Sequence, residues 1–337
     1  MKALLTGGTG FIGSHTAVAL LEAGNEVMLY DNLYNSSERV VGAIEEITGK
    51  KPGFMKGDIR DEARMKECFT TFKPDLVIHF AGLKAVGESV AKPLEYYDNN
   101  VGGTLAMLRA MRETGCRRLI FSSSATVYDL HNPSPYIEGM PVTHATSPYG
   151  ETKIQIETIL RDLAKAESDW SFVNLRYFNP IGAHPSGLIG EDPNGIPNNL
   201  VPYVARVAHG RLPFVRVFGG DYPTRDGTGV RDYIHVMDLA EGHAAAANYC
   251  LTHKGEIPIN LGTGRGSSVL DIIHAYEKAC GHEIPYKIMD RRAGDLPSFF
   301  ASADRAKSLL GWTAKRGLEE MCRDSWNFEQ HLAGKSA

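Results

Sequence analysis

The sequence predicts an α/β protein, a doubly wound parallel sheet followed by a smaller C-terminal lobe of mixed α/β structure. Three observations carry this. Short apolar strands alternate with amphipathic helical stretches from Lys2 to Arg176, the order that builds a parallel sheet with helices on both faces. The first strand, Lys2 to Thr6, runs through the glycine loop Gly7-Gly8-Thr9-Gly10-Phe11-Ile12-Gly13 into a helical stretch that stops near Gly24. After Arg176 the texture changes to a Gly/Pro-rich segment, Tyr177 to Asn199, with little periodicity. A long loop of that kind inside a compact domain is usually functional.

Gly8, Gly10 and Gly13 satisfy Gly-x-Gly-x-x-Gly, and Gly7 adds a permissive turn. Bare glycines let the backbone approach a pyrophosphate, whose charge is met by N–H groups at the helix start. Taken alone, the pattern also suits a simple tight turn. The second strand, Glu26 to Tyr30, ends in Asp31, at the offset where an acid accepts both hydroxyls of an adenosine ribose and repels a 2′-phosphate. The expected cofactor is therefore NAD rather than NADP, on a Rossmann-type sheet. Phe54 to Lys56 forms the next strand and leads to Asp58, which suits an adenine amino group; a helix N-cap explains an aspartate in this region equally well.

Leu76 to Phe80 reads as a buried parallel strand ending in the small residues Ala81 and Gly82, with His79 a satisfied core residue. Pro93 to Thr114 has helical periodicity. Arg118 to Phe121 is a further strand, delivering Ser122, Ser123 and Ser124 at its carboxyl end, the edge where open α/β sheets bind ligands. In Ser147-Pro148-Tyr149-Gly150-Glu151-Thr152-Lys153, Pro148 suits a first helical turn, so Tyr149 and Lys153 share one face. A free phenol has a pKa of about 10. A neighbouring ammonium stabilises the phenolate and draws that value down, and a serine at the strand end can relay the proton. Glu151, between the two, is expected to face solvent.

Ser171 to Arg176 is a sixth strand. Beyond it, Leu200 to His209 reads as a helix and Val215 to Phe218 as a strand, and Arg231 to Asp238 leads into another helix. Ile257 to Leu261 is a later strand, and Arg291, Arg292 and Asp295 lie in a turn-rich stretch. Arginine forks suit a diphosphate, although each reads equally well as a solvated charge. The expected division is residues 1–176 for the dinucleotide, with segments around 230–262 returning to that sheet, and 177–337 mainly for a second ligand.

With 36 Lys and Arg against 40 Asp and Glu over 337 residues, the net charge is -4 and the basic residues are scattered. Nothing here supports a nucleic-acid or membrane partner. Cys68, Cys116, Cys250, Cys280 and Cys322 are far apart and lack metal-ligand spacing, so they read as reduced packing residues and no metal is expected. No leader pattern and no apolar run near the ~20 residues of a membrane span are seen, which fits a cytoplasmic enzyme acting on a small molecule.

The chain resembles the extended short-chain dehydrogenase/reductases through Gly7, Gly10 and Gly13, Ser124, and Tyr149 with Lys153. Within them it is similar to the UDP-glucose (UDP-galactose) 4-epimerases over nearly its whole length. The matching strings are His79 to Ser89, Ser122 to Tyr128, Arg176 to Gly187, Gly195 to Asn199 and Gly227 to Leu239. The resemblance implies an isomerase of galactose metabolism that interconverts UDP-glucose and UDP-galactose with resident NAD. Tyr149 would take the 4-hydroxyl proton, directly or through Ser124, and Lys153 would hold the nicotinamide ribose and lower the tyrosine pKa.

Implied NAD contacts are Gly7, Gly10, Phe11, Ile12, Gly13, Asp31, Asn32, Leu33, Asn35, Ser36, Asp58, Ile59, Phe80, Ala81, Gly82, Lys84, Asn99 and Phe178, together with Ser124, Tyr149 and Lys153. Implied UDP-sugar contacts are Lys84, Ser124, Tyr149, Asn179, Asn199, Leu200, Phe218, Arg231, Tyr233, Arg292, Asp295 and Phe299. A homodimer through the helices around Met107 and Tyr149 to Leu160 is implied as well. Two departures stand out. Phe299 replaces a tyrosine or smaller residue and would crowd a 2-acetamido group; Asp129 replaces the glycine after Tyr128. A nucleotide-sugar dehydratase would need an acid pair after the serine, where Ala125 and Thr126 stand. A catalytically silent NAD-binding scaffold would have no use for Ser124, Tyr149 and Lys153 together.

Overall fold

The computed structural model describes residues 1–193, 195–292 and 294–334; the final three residues of the expected C-terminal lobe, and positions 194 and 293 within it, lie outside the described residues. The chain runs through β1 (Lys2–Thr6), α1 (Phe11–Glu22), β2 (Glu26–Asp31), α2 (Arg39–Thr48), β3 (Gly53–Lys56), α3 (Glu62–Phe72) and β4 (Leu76–His79). Short helices α4 (Val86–Ala91) and α5 (Pro93–Tyr96) then pass through a π turn, Tyr97–Gly102, into α6 (Gly103–Thr114). Next come β5 (Arg118–Ser124), α7 (Pro148–Ala166) and β6 (Ser171–Tyr177).

Seven of the described strands form one parallel sheet. After β6 the chain makes β7 (Asn179–Ile181), α8 (Leu200–Ala208), β8 (Val215–Phe218), β9 (Val230–Arg231), β10 (Tyr233–His235) and α9 (Val236–Thr252) before β11 (Gly255–Leu261) rejoins the sheet. Strand order is β11-β6-β5-β4-β1-β2-β3, so the winding reverses between β1 and β4. That reversal opens a crevice at the carboxyl ends, the place where such sheets bind ligands. Register keeps those ends level, with Thr6 beside both Tyr30 and His79 and Ser124 beside Tyr177.

Two helical layers cover the sheet. On one face Val18 and Leu21 of α1, Val41 and Ile44 of α2, and Ala246 and Ala247 of α9 meet Leu5, Ile78 and Val173. The alanines let α9 lie close along α1. On the other face Phe69 of α3, Met107 and Met111 of α6, and Ile156 and Leu160 of α7 meet Val77, Leu119 and Phe172. Each fully buried aliphatic chain of this kind stabilises the fold by about 1.5–3 kcal/mol.

The remaining elements are β12 (Ser267–Ser268), α10 (Val269–Cys280), β13 (Tyr286–Met289), β14 (Ser298–Phe299), α11 (Asp304–Leu310) and α12 (Leu318–Gly334). Their sheets are small: β10-β7, β12-β9-β14 and β13-β8. A separate apolar cluster, including Val204, Val217, Ile272, Tyr276 and Cys322, joins α8, α10 and α12. All five cysteines are free. Among the described residues no helix is long and apolar enough to cross a membrane.

The helix expected over Pro93 to Thr114 is interrupted. A π turn replaces its middle because Asn100 is recruited by the loop after β4: its side chain accepts from Leu83 N at 2.8 Å and donates to Leu83 O at 3.0 Å. Such single turns recur at functional sites, and this one borders the crevice.

Candidate active site

At the β1–α1 turn, Gly7 has φ +68, and a Cβ there would lie 2.7 Å from Ala81 N. A Cβ on Gly13 would meet Gly7 O at 2.4 Å. One position needs the left-handed region and the other needs close helix-to-loop packing. Gly10 caps α1 without any side chain, and the first turn carries no acid, so its N–H groups are open to an anion. The cradle and the bare helix start fit a dinucleotide diphosphate.

Asp31, almost fully buried, accepts from Thr9 N at 3.1 Å through Oδ2 and from Leu33 N (2.8 Å) and Ser36 Oγ (3.1 Å) through Oδ1. It ties the glycine loop to the segment after β2 while keeping spare lone-pair capacity toward the crevice. Asp58 is engaged otherwise. Arg60 pairs with it at 2.9 Å and Asn32 donates at 3.1 Å, and the Arg60 guanidinium holds its carboxyl down at about 2. The α3 cap is Asp61, which accepts from Arg64 N, so the capping reading passes from Asp58 to Asp61.

Across the crevice, Ser147 caps α7 through Gly150 N and Pro148 occupies the first turn. Tyr149, Lys153 and Glu157 therefore line one face at successive turns. Glu157 anchors that face, accepting from Ser123 Oγ at 2.6 Å and from Arg176 at 3.0 Å and 2.6 Å. Both partners of this ion pair are buried. Lys153 Nζ donates to Ser122 O at 2.6 Å and stands 5.6 Å from the Tyr149 ring centre. Ser124 Oγ accepts from Thr126 N (3.2 Å) and Thr126 Oγ1 (2.9 Å), which leaves its own O–H to be donated elsewhere.

The electrostatics depart from the sequence expectation in one respect. Burial raises the Tyr149 phenol, and the opposing pulls come from the Ser124 hydrogen bond and the Lys84 charge. Lys153 is not among those pulls. Its own burial drops its ammonium to about 7, with Glu157 acting the other way. Glu151 also differs: it is half-buried and accepts from Ala145 N.

On the far side, Asn179 opens β7 and Arg231 and Tyr233 flank Asp232. The Asp232 carboxylate is fully buried and accepts from Thr263 N, Thr263 Oγ1, Gly264 N and Ala301 N at 2.6–3.2 Å. That knot fixes β9 and β10 and hence the two side chains beside it. Arg231 donates to Leu296 O at 2.8 Å and pairs with Asp295 at 3.3 Å. Asn179, Arg231 and Tyr233 line one cleft of about 810 Å³ together with the glycine loop, Asp31, Ser124, Tyr149 and Lys153.

Residues 3–262 match the family model described as Epimerase, the NAD dependent epimerase/dehydratase family. The chain belongs to this family. It is 56% identical over 329 residues to the UDP-glucose 4-epimerase of Bacillus subtilis (strain 168), covering 98% of this chain and 97% of that one. With the UDP-glucose 4-epimerase of Erwinia amylovora it shares 53% identity over 98% of both. Among solved structures, the UDP-glucose 4-epimerase of Bifidobacterium longum in complex with NAD+ and UDP superposes with a TM-score of 0.95 at 52% identity, over 99% of each chain. That of Stenotrophomonas maltophila, with bound NAD and formylated UDP-arabinopyranose, gives 0.97 at 48% over the whole of both chains.

In this member of the epimerase/dehydratase family, the cleft wall includes Gly7, Gly10, Phe11, Ile12, Gly13, Asp31, Asn32, Asn35, Ser36, Ile59, Phe80, Ala81, Gly82, Lys84 and Asn99. It continues through Ser124, Tyr149, Lys153, Phe178, Asn179, Asn199, Leu200, Arg231 and Tyr233. Leu33, Asp58, Phe218, Arg292, Asp295 and Phe299 do not line it. Leu33 turns away at φ +62 after handing its N–H to Asp31. Arg292 instead lies over the Phe218 ring at 3.8 Å, and Phe299 packs on Tyr136 and Phe178 with centroids 4.4 Å and 5.3 Å away. Sequence reasoning missed Tyr177, bonded to His243, and the acids Glu191 and Asp192, paired with Lys84 and Arg39 across the cleft. Only the Gly/Pro-rich character of their loop pointed toward the two acids.

Proposed function

We propose that this chain interconverts UDP-glucose and UDP-galactose, an isomerase step of galactose metabolism that runs through transient oxidation at sugar carbon 4. The observation that carries the reading is convergence: Ser124, Tyr149 and Lys153 meet in one cleft between an anion-binding glycine cradle and the polar wall of Asn179, Asn199, Arg231 and Tyr233. The chemistry NAD supplies when bound is acceptance of a hydride from that carbon and its return to the opposite face. Phe11 and Ile12 N–H groups would hold its diphosphate, Asp31 with Asn32, Asn35 and Ser36 its adenosine ribose, Ile59, with Asp58 just beyond the wall, its adenine end, and Asn99, Lys153 and Phe178 its nicotinamide end. The loop Phe80 to Lys84 would close over its middle.

Tyr149 is assigned as the group that takes the 4-hydroxyl proton and gives it back. Ser124, whose oxygen already accepts two bonds, has its hydroxyl proton available to bridge sugar and phenol. Once the cofactor's ribose occupies the cleft, Lys153 is placed to steady that ribose and the phenolate together. The flat 4-keto sugar must turn over between the two hydride transfers, so the wall formed by Asn179, Asn199, Leu200, Arg231 and Tyr233 is assigned to the uridine diphosphate, the part that stays fixed. Phe218, Arg292 and Asp295, beyond the present wall, are assigned to the nucleotide end of the same ligand.

Residues 1–176 with 230–262 are thus assigned to the dinucleotide, and 177–337 mainly to the UDP-sugar. Free thiols fit a reducing cytoplasm. A homodimer through the helices around Met107 and Tyr149 to Leu160 is the proposed assembly, supported by Leu105, which α6 leaves exposed near the exposed Val90 and Leu94 of α4 and α5. The deciding experiment is to give the purified protein UDP-galactose, with and without added NAD, and measure UDP-glucose. Failure to interconvert them after NAD loading would refute the reading.

A further inference from the structure

We propose that residues 187–193 form a strap that fastens NAD into its crevice, with Glu191 and Asp192 as two latches that must part before the dinucleotide can leave. This rests on the glycine cradle as the seat of the diphosphate. The strap lies between β7 and α8, and each of its residues lines the cleft. Glu191 accepts from Lys84 Nζ, in the loop after β4, at 3.0 Å, and Asp192 accepts from Arg39, in the first turn of α2, at 2.6 Å. In the sheet β1 stands between β4 and β2, and α2 follows β2. Two neighbouring carboxylates therefore reach elements on either side of the glycine loop that follows β1. The bridge they make crosses the mouth of the anion cradle.

The base of the strap is fixed by packing. Gly187, at φ +73, and Gly190 lie against α12, where a Cβ would come within 2.4 Å of the His331 and Phe328 rings. Asn327 of the same helix donates to Pro185 O at 2.8 Å. Between the two glycines, Ile189 is buried in the apolar cluster that includes Val18 and Ala247. Beyond Gly190 the hold is by charge. Glu191, with 10% of its side chain exposed, accepts from Asn199 Nδ2 at 2.9 Å as well as from Lys84, while Asp192 is 43% exposed. Both carboxylates carry the same sign as a dinucleotide diphosphate, so their direct field repels it. Any retention they give must come from fastening the strap to Arg39 and Lys84. Removing either one thus has two opposed consequences, and the sign of the result tells which governs.

The test loads the protein with radiolabelled NAD and chases it with unlabelled NAD at low salt, at a temperature where the unaltered protein loses half its label within hours. Asp192→Asn is expected to speed release about two- to fivefold, the range of an exposed ion pair. Glu191→Ala should speed it at least about tenfold, because a nearly buried carboxylate serving two donors is lost. Arg39→Gln should match Asp192→Asn and add nothing on top of it. In the unaltered protein, salt should raise release toward the Asp192→Asn rate. Release that slows or stays put in either carboxylate variant, as the direct field alone requires, would overturn the proposal. So would an Arg39→Gln effect that persists without Asp192. Turnover plays no part in the readout, so the strap can fail while the proposed reaction stands.

Discussion

Ser124 and Tyr149 ride on elements of 7 and 19 residues, whereas Asn179, Arg231 and Tyr233 across the cleft sit on strands of 3, 2 and 3. The first pair is held by burial of whole strands and helix faces and by the Glu157–Arg176–Ser123 cluster inside the sheet. The second set is held by long-range knots such as Asp232, whose partners lie some distance along the chain at Thr263, Gly264 and Ala301. A wall built of long, regular elements fixes Ser124 and Tyr149 rigidly. A wall built of short strands holds its groups through side-chain contacts between residues far apart in the chain.

The sharpest way to break this contrast is Glu157→Ala. It leaves Arg176 charged, 4% exposed and without its carboxylate, a defect that costs about 3–5 kcal/mol in buried pairs. Denaturant unfolding should register that loss, and replacing both residues by apolar ones of similar size should recover most of it. A loss below about 1 kcal/mol would mean that the cluster does not hold the first wall.

Next in size is Tyr149→Phe. Removing the hydroxyl proposed to exchange the proton, while leaving ring and helix intact, is expected to lower kcat at least ~10²-fold, the range for a lost general acid/base. UDP binding, measured by calorimetry, should stay within about threefold, because the opposite wall holds the nucleotide in this reading. Near-normal turnover would remove the phenol from the chemistry.

Asp31→Ala probes the same wall at its other end. Hydrogen bonds to a charged acceptor contribute about 1.5–3 kcal/mol each, but Asp31 divides its capacity between the protein's own N–H groups and a ligand. A weakening of NAD binding by about 10- to 30-fold is therefore expected. Discrimination against NADP should fall with it, and equal losses for both dinucleotides would assign Asp31 to loop architecture alone.

The difference between the two walls also explains what the sequence could disclose. Periodicity exposed the strand ends at Thr6, Asp31 and Ser124 and the shared face of Tyr149 and Lys153, because those features repeat within a few residues. The π turn at Tyr97–Gly102 was invisible, since it exists to satisfy Leu83, seventeen positions from Asn100. Lys84 and Glu191, 107 residues apart, likewise carry no local signature. Arg231, Arg292 and Asp295 were reached through family resemblance rather than pattern, and the two-residue strands near them explain why. The burial that lowers the Lys153 ammonium carries no sequence signature either, because spacing gives proximity but not burial.

The smallest expected effect concerns the aromatic pile behind Phe178. Phe299 does not reach the cleft; it backs Phe178, which does, and is itself braced by Tyr136. A 2-acetamido group on the sugar would be crowded through that stack, so the unaltered protein is expected to favour plain UDP-hexoses over N-acetylated ones. Phe299→Ala lets Phe178 recede, and because the relief is indirect the gain should lie at the low end of what one pocket contact supplies, about three- to tenfold in relative kcat/KM for the acetylated substrate. Wild-type values already equal for the two substrates would sink the idea at once. A gain shared by both substrates would mean that the stack tunes the fit of the whole wall and does not select at carbon 2.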